Sequence, residues 1–242
     1  MIKVKEITKK FSDKKEGEIT AVDSISLEIK SGEIFGLLGP NGAGKTTFLR
    51  ILATILTPDS GSVIINNYDI AKQAELVKQS IGYLSGETKL YKRLTPQELL
   101  KYFGQLYDMS KQAIKTRSQK LIDVLKMNQF KDKKIAELST GQKQKTSIAR
   151  CLLHDPPVYI LDEPTTGLDL MTSKAIIDFI INEAQNGKTV LFSTHYMEEA
   201  ENLCDRVALL HQGKILDIAT ISEYYKQTKA DNLRDVFFSY LD

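Results

Sequence analysis

Apolar positions in the first third of the chain recur mainly at the period of strands. Ile25, Leu27 and Ile29 alternate with polar neighbours, the pattern of a half-buried strand. Ser31-Gly32 then predicts a turn. Glu33 to Leu38 is a nearly continuous apolar run, which fits a strand covered on both faces of a sheet. A turn at Pro58-Asp59-Ser60-Gly61, a short strand at Ser62 to Ile65 and a further strand at Ile81 to Leu84 follow. The period changes at Thr95. Thr95-Pro96-Gln97-Glu98 supplies an N-cap, a proline at the first helical position and an acid at the third, and Leu99, Leu100, Phe103, Leu106 and Tyr107 then repeat at helical spacing. A second helical pattern runs through Ile114, Leu121, Ile122 and Leu125. After Pro156-Pro157 strands return at Val158 to Leu161, Thr189 to Ser193 and Val207 to Leu210, with helix-like segments between them. Strands alternating with helices predict an α/β fold with a largely parallel sheet. Its core is expected over residues 1–87 and 154–242, with a mostly helical subdomain over 88–153 inserted into it. Beyond Lys214 the aromatics Tyr224, Tyr225, Phe237, Phe238 and Tyr240 are read as a last helix packing onto the core.

Composition narrows the class. Of 242 residues, 42% are hydrophobic and 26% charged, which excludes a disordered tail protein, a collagen and a disulfide mini-protein. No apolar stretch approaches the roughly 18 residues that cross a bilayer, so the chain is not itself expected to form a channel or permease. The N-terminus carries no apolar signal-peptide core. Cys151 and Cys204 sit in apolar, helix-like contexts without a CxxC pattern, which suits a reducing cytosol. A net charge of +2 is too mild to imply nucleic acid. The lysine runs at Lys9-Lys10 and Lys131 to Lys134 lack interleaved aromatics and read as solvated faces.

One segment carries specific chemistry. Gly39-Pro40-Asn41-Gly42-Ala43-Gly44-Lys45-Thr46 matches G-x-x-x-x-G-K-[ST], with the buried strand before it and a helix-like segment, Phe48 to Leu56, after it. Its glycines let backbone N–H groups turn inward around phosphate oxygens, and the following helix adds its positive end. Lys45 reaches the outer phosphates and the Thr46 hydroxyl is placed to ligate Mg²⁺. Val158-Tyr159-Ile160-Leu161 ends in Asp162 and Glu163. Alone, two acids after a strand fit a simple exit into solvent as well as they fit a site. Beside a phosphate loop, Asp162 is expected to hold Mg²⁺ through water and Glu163 to polarise an attacking water.

With Leu138-Ser139-Thr140-Gly141-Gln142, the chain resembles an ATP-binding cassette, the nucleotide-binding subunit of an ABC transporter, over nearly its whole length. That stretch is similar to the family signature, although a glycine is usual where Thr140 stands. Ser139 reads as the N-cap of a helix over Gln142 to Leu153. The resemblance implies a P-loop NTPase (RecA-like) core with an N-terminal antiparallel β-subdomain. It also implies a head-to-tail pair of cassettes, homodimer or heterodimer, in which the signature of one meets the γ-phosphate on the phosphate loop of the other. The nucleotide set it implies is Phe11 for stacking on adenine, Gly39 through Thr47, Ser139, Gly141, Gln142 and Asp169, the last in a D-loop-like Gly167-Leu168-Asp169. Lys45, Glu163 and His195 are the expected catalytic group, His195 resembling the switch histidine. Thr46 and Asp162 are the expected metal ligands. ATP and Mg²⁺ are the implied cofactors and a separate transmembrane permease the implied partner, with the chain cytoplasmic on the inner face of the membrane. His154 and His211 are left as surface or structural residues.

The chain departs from the family at one point. A glutamine that touches Mg²⁺ and senses the membrane partner normally follows the strand matched by Ile81 to Leu84. Here Gly86 holds that position and Glu87 comes next. The replaced glutamine and the run Ile148 to Asp169 are similar to bacterial sodium-efflux-type cassettes, so export is the expected direction. A soluble single-cassette ATPase, such as one for iron–sulfur cluster assembly, is the competing reading. A binding module without turnover is a third, against which Glu163 and His195 both stand. Only 93 residues separate Lys45 from Ser139, without sustained heptads, which leaves no room for the long coiled coil of repair ATPases.

Overall fold

The computed structural model describes residues 1–13, 17–86 and 90–241. Among these, β1 (Ile2–Asp13) and β2 (Gly17–Ile29) form a long hairpin, and β3 (Ile34–Leu38) leads into α1 (Lys45–Leu52). Next come β4 (Ser60–Ile65), β5 (Tyr68–Asp69), α2 (Ala74–Ser80) and β6 (Ile81–Leu84). Three helices follow, α3 (Pro96–Leu106), α4 (Lys111–Val124) and α5 (Thr140–Cys151), with a short 3-10 turn at Ile135–Glu137 before the last. The chain then alternates through β7 (Val158–Asp162), α6 (Leu170–Gln185), β8 (Thr189–Thr194), α7 (Met197–Leu203) and β9 (Arg206–His211). It ends with β10 (Lys214–Ala219), α8 (Ile221–Thr228) and α9 (Leu233–Ser239).

The strands assemble into two sheets. An antiparallel sheet has the order β2-β1-β4-β5, and a six-stranded sheet has the order β10-β9-β3-β8-β7-β6. In the second, only the β9–β10 hairpin is antiparallel; β9, β3, β8, β7 and β6 run parallel. Alternating side chains from these strands fill two cores. Phe35, Leu37, Ile160, Leu191 and Ala208 point toward α1 and the antiparallel sheet. Leu38, Tyr159, Leu161, Phe192 and Val207 point to the other face, where residues of the later helices cover them. Apolar residues of α3, α4 and α5 (Leu99, Leu121 and Ile148 among them) belong to this same continuous cluster. The segment over 90–153 therefore shares its apolar interior with the sheet.

Several boundaries differ from the sequence reading for local reasons. The Thr95–Glu98 capping box closes in both directions, and α3 starts at Pro96 as expected. Helix α1 begins earlier than Phe48, because the loop delivers Lys45 straight into helical geometry, and it stops at Leu52. Ser60 pairs with Thr8 of β1 and Gly61 lies at the register shift beside it, so both belong to β4 rather than to a turn. The tail contains a hairpin strand and two helices, not one last helix. Cys151 and Cys204 are free and buried. No described helix is long and apolar enough to cross a membrane.

Candidate functional site

Parallel pairing sets the site. It places the C-terminal ends of β3, β6, β7 and β8 along one edge of the sheet, the edge where open α/β sheets bind ligands. In register, Leu38 lies beside Thr194 and Asp162 beside Ser193. The loop after β3, the carboxylates after β7 and the histidine after β8 therefore emerge together.

Gly39 to Gly44 wraps over the start of α1, and neighbouring backbone holds it tightly. A Cβ on Gly39 would lie 2.3 Å from the Leu210 carbonyl oxygen. Gly44, at φ 104°, is left-handed, and a Cβ there would lie 2.2 Å from the carbonyl oxygen of Ala21. Only glycine fits either place. The tight turn after β9 pins the loop from outside, with the Gly213 amide donating to the Ala43 carbonyl at 2.9 Å. Pro40, Asn41 and Gly42 are exposed at the mouth, and Thr46 and Thr47 are half-buried. No side chain caps the N-terminus of α1, and its first turn carries no acid. Helices α3, α4, α5, α6, α8 and α9 all have side-chain caps. Uncapped N–H groups behind a glycine loop form a cradle with the chemistry for a phosphate.

Lys45 is 4% exposed and lies inside this cradle. Its ammonium donates to the Gly39 carbonyl at 2.7 Å and the Pro40 carbonyl at 3.2 Å, and sits 3.3 Å from Glu163 Oε1. The same oxygen is 3.1 Å from His195 Nδ1. Burial works to raise the Glu163 pKa. The His195 contact and the Lys45 charge outweigh it, so the carboxyl is held below its usual range. Glu163 also has a left-handed backbone, φ 47°, uncommon for a residue with a side chain. Asp162 is buried and accepts a 2.7 Å hydrogen bond from Ser193 Oγ. Burial pushes the Tyr83 phenol up, and the Asp162 charge adds to it. Among the described residues no three His, Cys, Asp or Glu side chains cluster as a metal cage. One buried carboxylate and the hydroxyl of Thr46 at a phosphate cradle are the donor set that suits Mg²⁺, which keeps waters and leans on substrate phosphates.

A second group gathers elsewhere. Ser139 caps α5, its Oγ accepting from the Gln142 amide at 3.2 Å while the Gln142 side chain accepts from the Ser139 amide at 3.1 Å. Asp169 caps α6 through the Thr172 amide and hydroxyl, and these bonds hold its carboxyl below the usual range. The two helix starts adjoin, since a Cβ on Gly141 would be 3.0 Å from Thr172 Cγ2. Gln144 Nε2 donates to the Pro164 carbonyl at 2.7 Å, joining this group to the strand end that carries Glu163. Among the described residues, no hydrogen bond or ion pair links Ser139, Gly141 or Gln142 to Lys45. The sequence-predicted residues thus fall into two sets in one chain.

Phe11 is 41% exposed on β1, paired with Ile19 of β2, two residues before the Ala21 that overlies Gly44. The ammonium of Lys9 lies 5.7 Å from its ring centroid. Gly86 is described, while Glu87 lies outside the described residues. His154 is largely buried, stacked 4.1 Å from Tyr107 and bonded to the Ile81 carbonyl. Sequence reasoning missed Ser193, which touches both acid positions, and Thr166, whose hydroxyl donates to Glu163 Oε2 at 3.1 Å. The only sequence signal was a pair of small hydroxyl residues closing an otherwise apolar strand, Thr189 to Thr194.

A glycine-rich phosphate cradle at the edge of a mixed sheet, with two acids on the adjacent strand, defines a P-loop NTPase. The profile of the ABC transporter family matches residues 22–166, and the chain belongs to that family. It is 41% identical over 242 residues to the ABC transporter ATP-binding protein NatA of Bacillus subtilis (strain 168), covering 100% of this chain and 98% of that protein. It is 37% identical over 213 residues to the Nod factor export ATP-binding protein I of Burkholderia lata, covering 88% of this chain and 68% of that protein. Among solved structures, the dimeric post-hydrolysis state of the ATP-binding cassette MJ0796 bound to ADP and Pi superposes with a TM-score of 0.82. Its sequence identity is 29%, over 91% of this chain and 99% of that one. Members of this family are ATPase cassettes that bind and hydrolyse ATP, typically with Mg²⁺.

Proposed function

We propose that this chain is the ATP-hydrolysing subunit of an exporter, acting on a separate membrane permease from the cytoplasmic face. The observation that carries the reading is the convergence of Lys45 and His195 on one carboxylate oxygen of Glu163 beside an uncapped glycine cradle. In this reading the loop N–H groups and Lys45 grip the triphosphate, and Lys45 exchanges Glu163 for phosphate oxygens. Glu163, ionised and freed toward the γ-phosphate, orients a water and accepts its proton as the water oxygen bonds to phosphorus. The bond from phosphorus to the bridging oxygen breaks, and ADP leaves with phosphate. His195 holds Glu163 and reads the γ-phosphate. A metal held by Thr46 and Asp162 would supply charge neutralisation on the phosphates.

Among the described residues no hydrogen bond or ion pair joins Ser139, Gly141 or Gln142 to the chain's own cradle, which supports a second cassette completing each site head to tail. The permease is assigned to the open groove of about 850 Å³ beside α3, lined by Ile55, Tyr83, Leu106, Tyr107 and Met109. Ile55 and Leu106 are more than half exposed there. Tyr83 stands three residues before Gly86, the position where the resemblance places the partner-sensing glutamine. Export is favoured by the name of the Nod factor export relative and by the sodium-efflux resemblance; sodium or a small molecule is the proposed cargo. The test is purification of tagged protein from native membranes in mild detergent, with Leu106→Glu alongside. A stoichiometric multi-span partner, lost in the variant while basal ATPase persists, supports the reading. A stable set of soluble partners only would overturn it in favour of an assembly ATPase.

A further inference from the structure

We infer that Ser193 is the positioning residue that sets both acids of the site, resting on the assignment of Asp162 and Glu163 above. Ser193 is fully buried in β8, directly beside Asp162 in the parallel register. Its hydroxyl donates to Asp162 Oδ1 at 2.7 Å and accepts from the Glu163 amide at 3.1 Å. Its own carbonyl also accepts from that amide at 3.1 Å. One residue therefore fixes two consecutive positions by different atoms.

The two bonds do different things. The donated bond orients a 4% exposed carboxylate and leaves its second oxygen for a metal-bound water. The accepted bonds hold the Glu163 amide while the chain leaves β7 with φ 47°, a left-handed turn that a glutamate does not favour. That turn lets two neighbouring carboxylates diverge, Asp162 buried against Ser193 and Glu163 toward Lys45 and His195. Without the hydroxyl, Asp162 loses its fixed rotamer and the Glu163 turn keeps only the backbone bond. Removing a hydrogen bond to a buried charged group at this distance predicts a loss in turnover of about ten- to a hundredfold.

The experiment compares wild type with Ser193→Ala, Ser193→Thr and Ser193→Val. It reads kcat, KM for ATP, melting temperature, and calorimetric affinity for a non-hydrolysable ATP analogue with and without Mg²⁺. In Ser193→Ala, kcat is expected to fall about tenfold or more while KM stays within about threefold. The affinity gained from Mg²⁺ shrinks, and the metal-free affinity is unchanged. Thr and Val share one shape and differ in the hydroxyl, so Thr should exceed Val in kcat by about tenfold whatever the extra methyl costs. Wild-type kcat and an unaltered Mg²⁺ effect in Ser193→Ala would overturn the inference, as would equal kcat in Thr and Val. Glu163→Gln is assayed alongside. Normal turnover there overturns the assignment of Glu163 as base, while the Mg²⁺ readout still judges the Ser193–Asp162 bond.

Discussion

Replacing Lys45 by methionine removes the ammonium and keeps most of its stem. In the resting chain that ammonium makes two carbonyl hydrogen bonds, at 2.7 and 3.2 Å, and one ion pair at 3.3 Å. The Glu163 side chain is 22% exposed, so the ion pair is worth only about 1 kcal/mol. On a triphosphate, the ammonium exchanges two neutral contacts of about 1 kcal/mol each for two bonds to charged oxygens of about 1.5–3 kcal/mol each. With the Glu163 ion pair also given up, the net gain on binding is about 0–3 kcal/mol, which the variant forgoes. Its Kd for ATP should rise by about 13-fold at the middle of that range and by up to about 160-fold at its upper end. Isothermal titration with Mg-ATP at 25 °C reads this directly, and a melting curve checks that the variant is folded. A folded Lys45→Met protein that binds ATP within about twofold of wild type would refute the cradle and the exchange of Glu163 for phosphate.

Two further predictions concern pH and stability. Glu163 has a folded pKa below its unfolded value, so its ion pairing adds stability above the free carboxylate value of about 4.3 and loses it as pH falls through the lower folded value. The melting difference between wild type and Glu163→Gln should therefore be larger at pH 7 than at pH 3.5, and a difference that grows on acidification contradicts the assigned charge state. Glu183 is buried, accepts from the Tyr159 hydroxyl and lies 3.8 Å from Arg117, which also pairs with Asp155 at 2.8 Å. Glu183→Ala leaves a buried guanidinium and phenol short of a partner and should cost about 3 kcal/mol in urea unfolding; a loss under about 1 kcal/mol would mean that water or Asp155 alone satisfies Arg117.

Much of the architecture could be read from local pattern, and the failures have identifiable causes. The strands ending at Leu38 and Asp162 were visible because burial on both faces leaves an unbroken apolar run. Strand β1 was not. Ile2, Val4 and Ile7 are its buried apolar residues, and the step from 4 to 7 breaks the period of two. The structure explains the slip by a register shift between Val4 and Ile7, with Glu6 left-handed at φ 49°. Leu106 keeps the helical spacing of α3 yet is 60% exposed, since spacing identifies a face without saying what covers it. The loop and its glycines were legible from the motif alone. The meeting of Glu163 with His195 was not, because it depends on β7 and β8 being neighbours in register. Ser139 and Asp169 were assigned to nucleotide and dimer contacts through resemblance. Within one chain both serve as helix caps, a role their residue types foretell equally well.

Phosphate release by the purified chain, set against that of Glu163→Gln with ATP binding measured on the same samples, tests the role of this carboxylate most directly. Wild type should show steady Mg²⁺-dependent release. The variant should hold ATP with similar affinity, pair into a stable dimer, and release phosphate at least about a hundredfold more slowly. Turnover in Glu163→Gln close to wild type, with ATP bound, would contradict the claim that this carboxylate drives the hydrolysis.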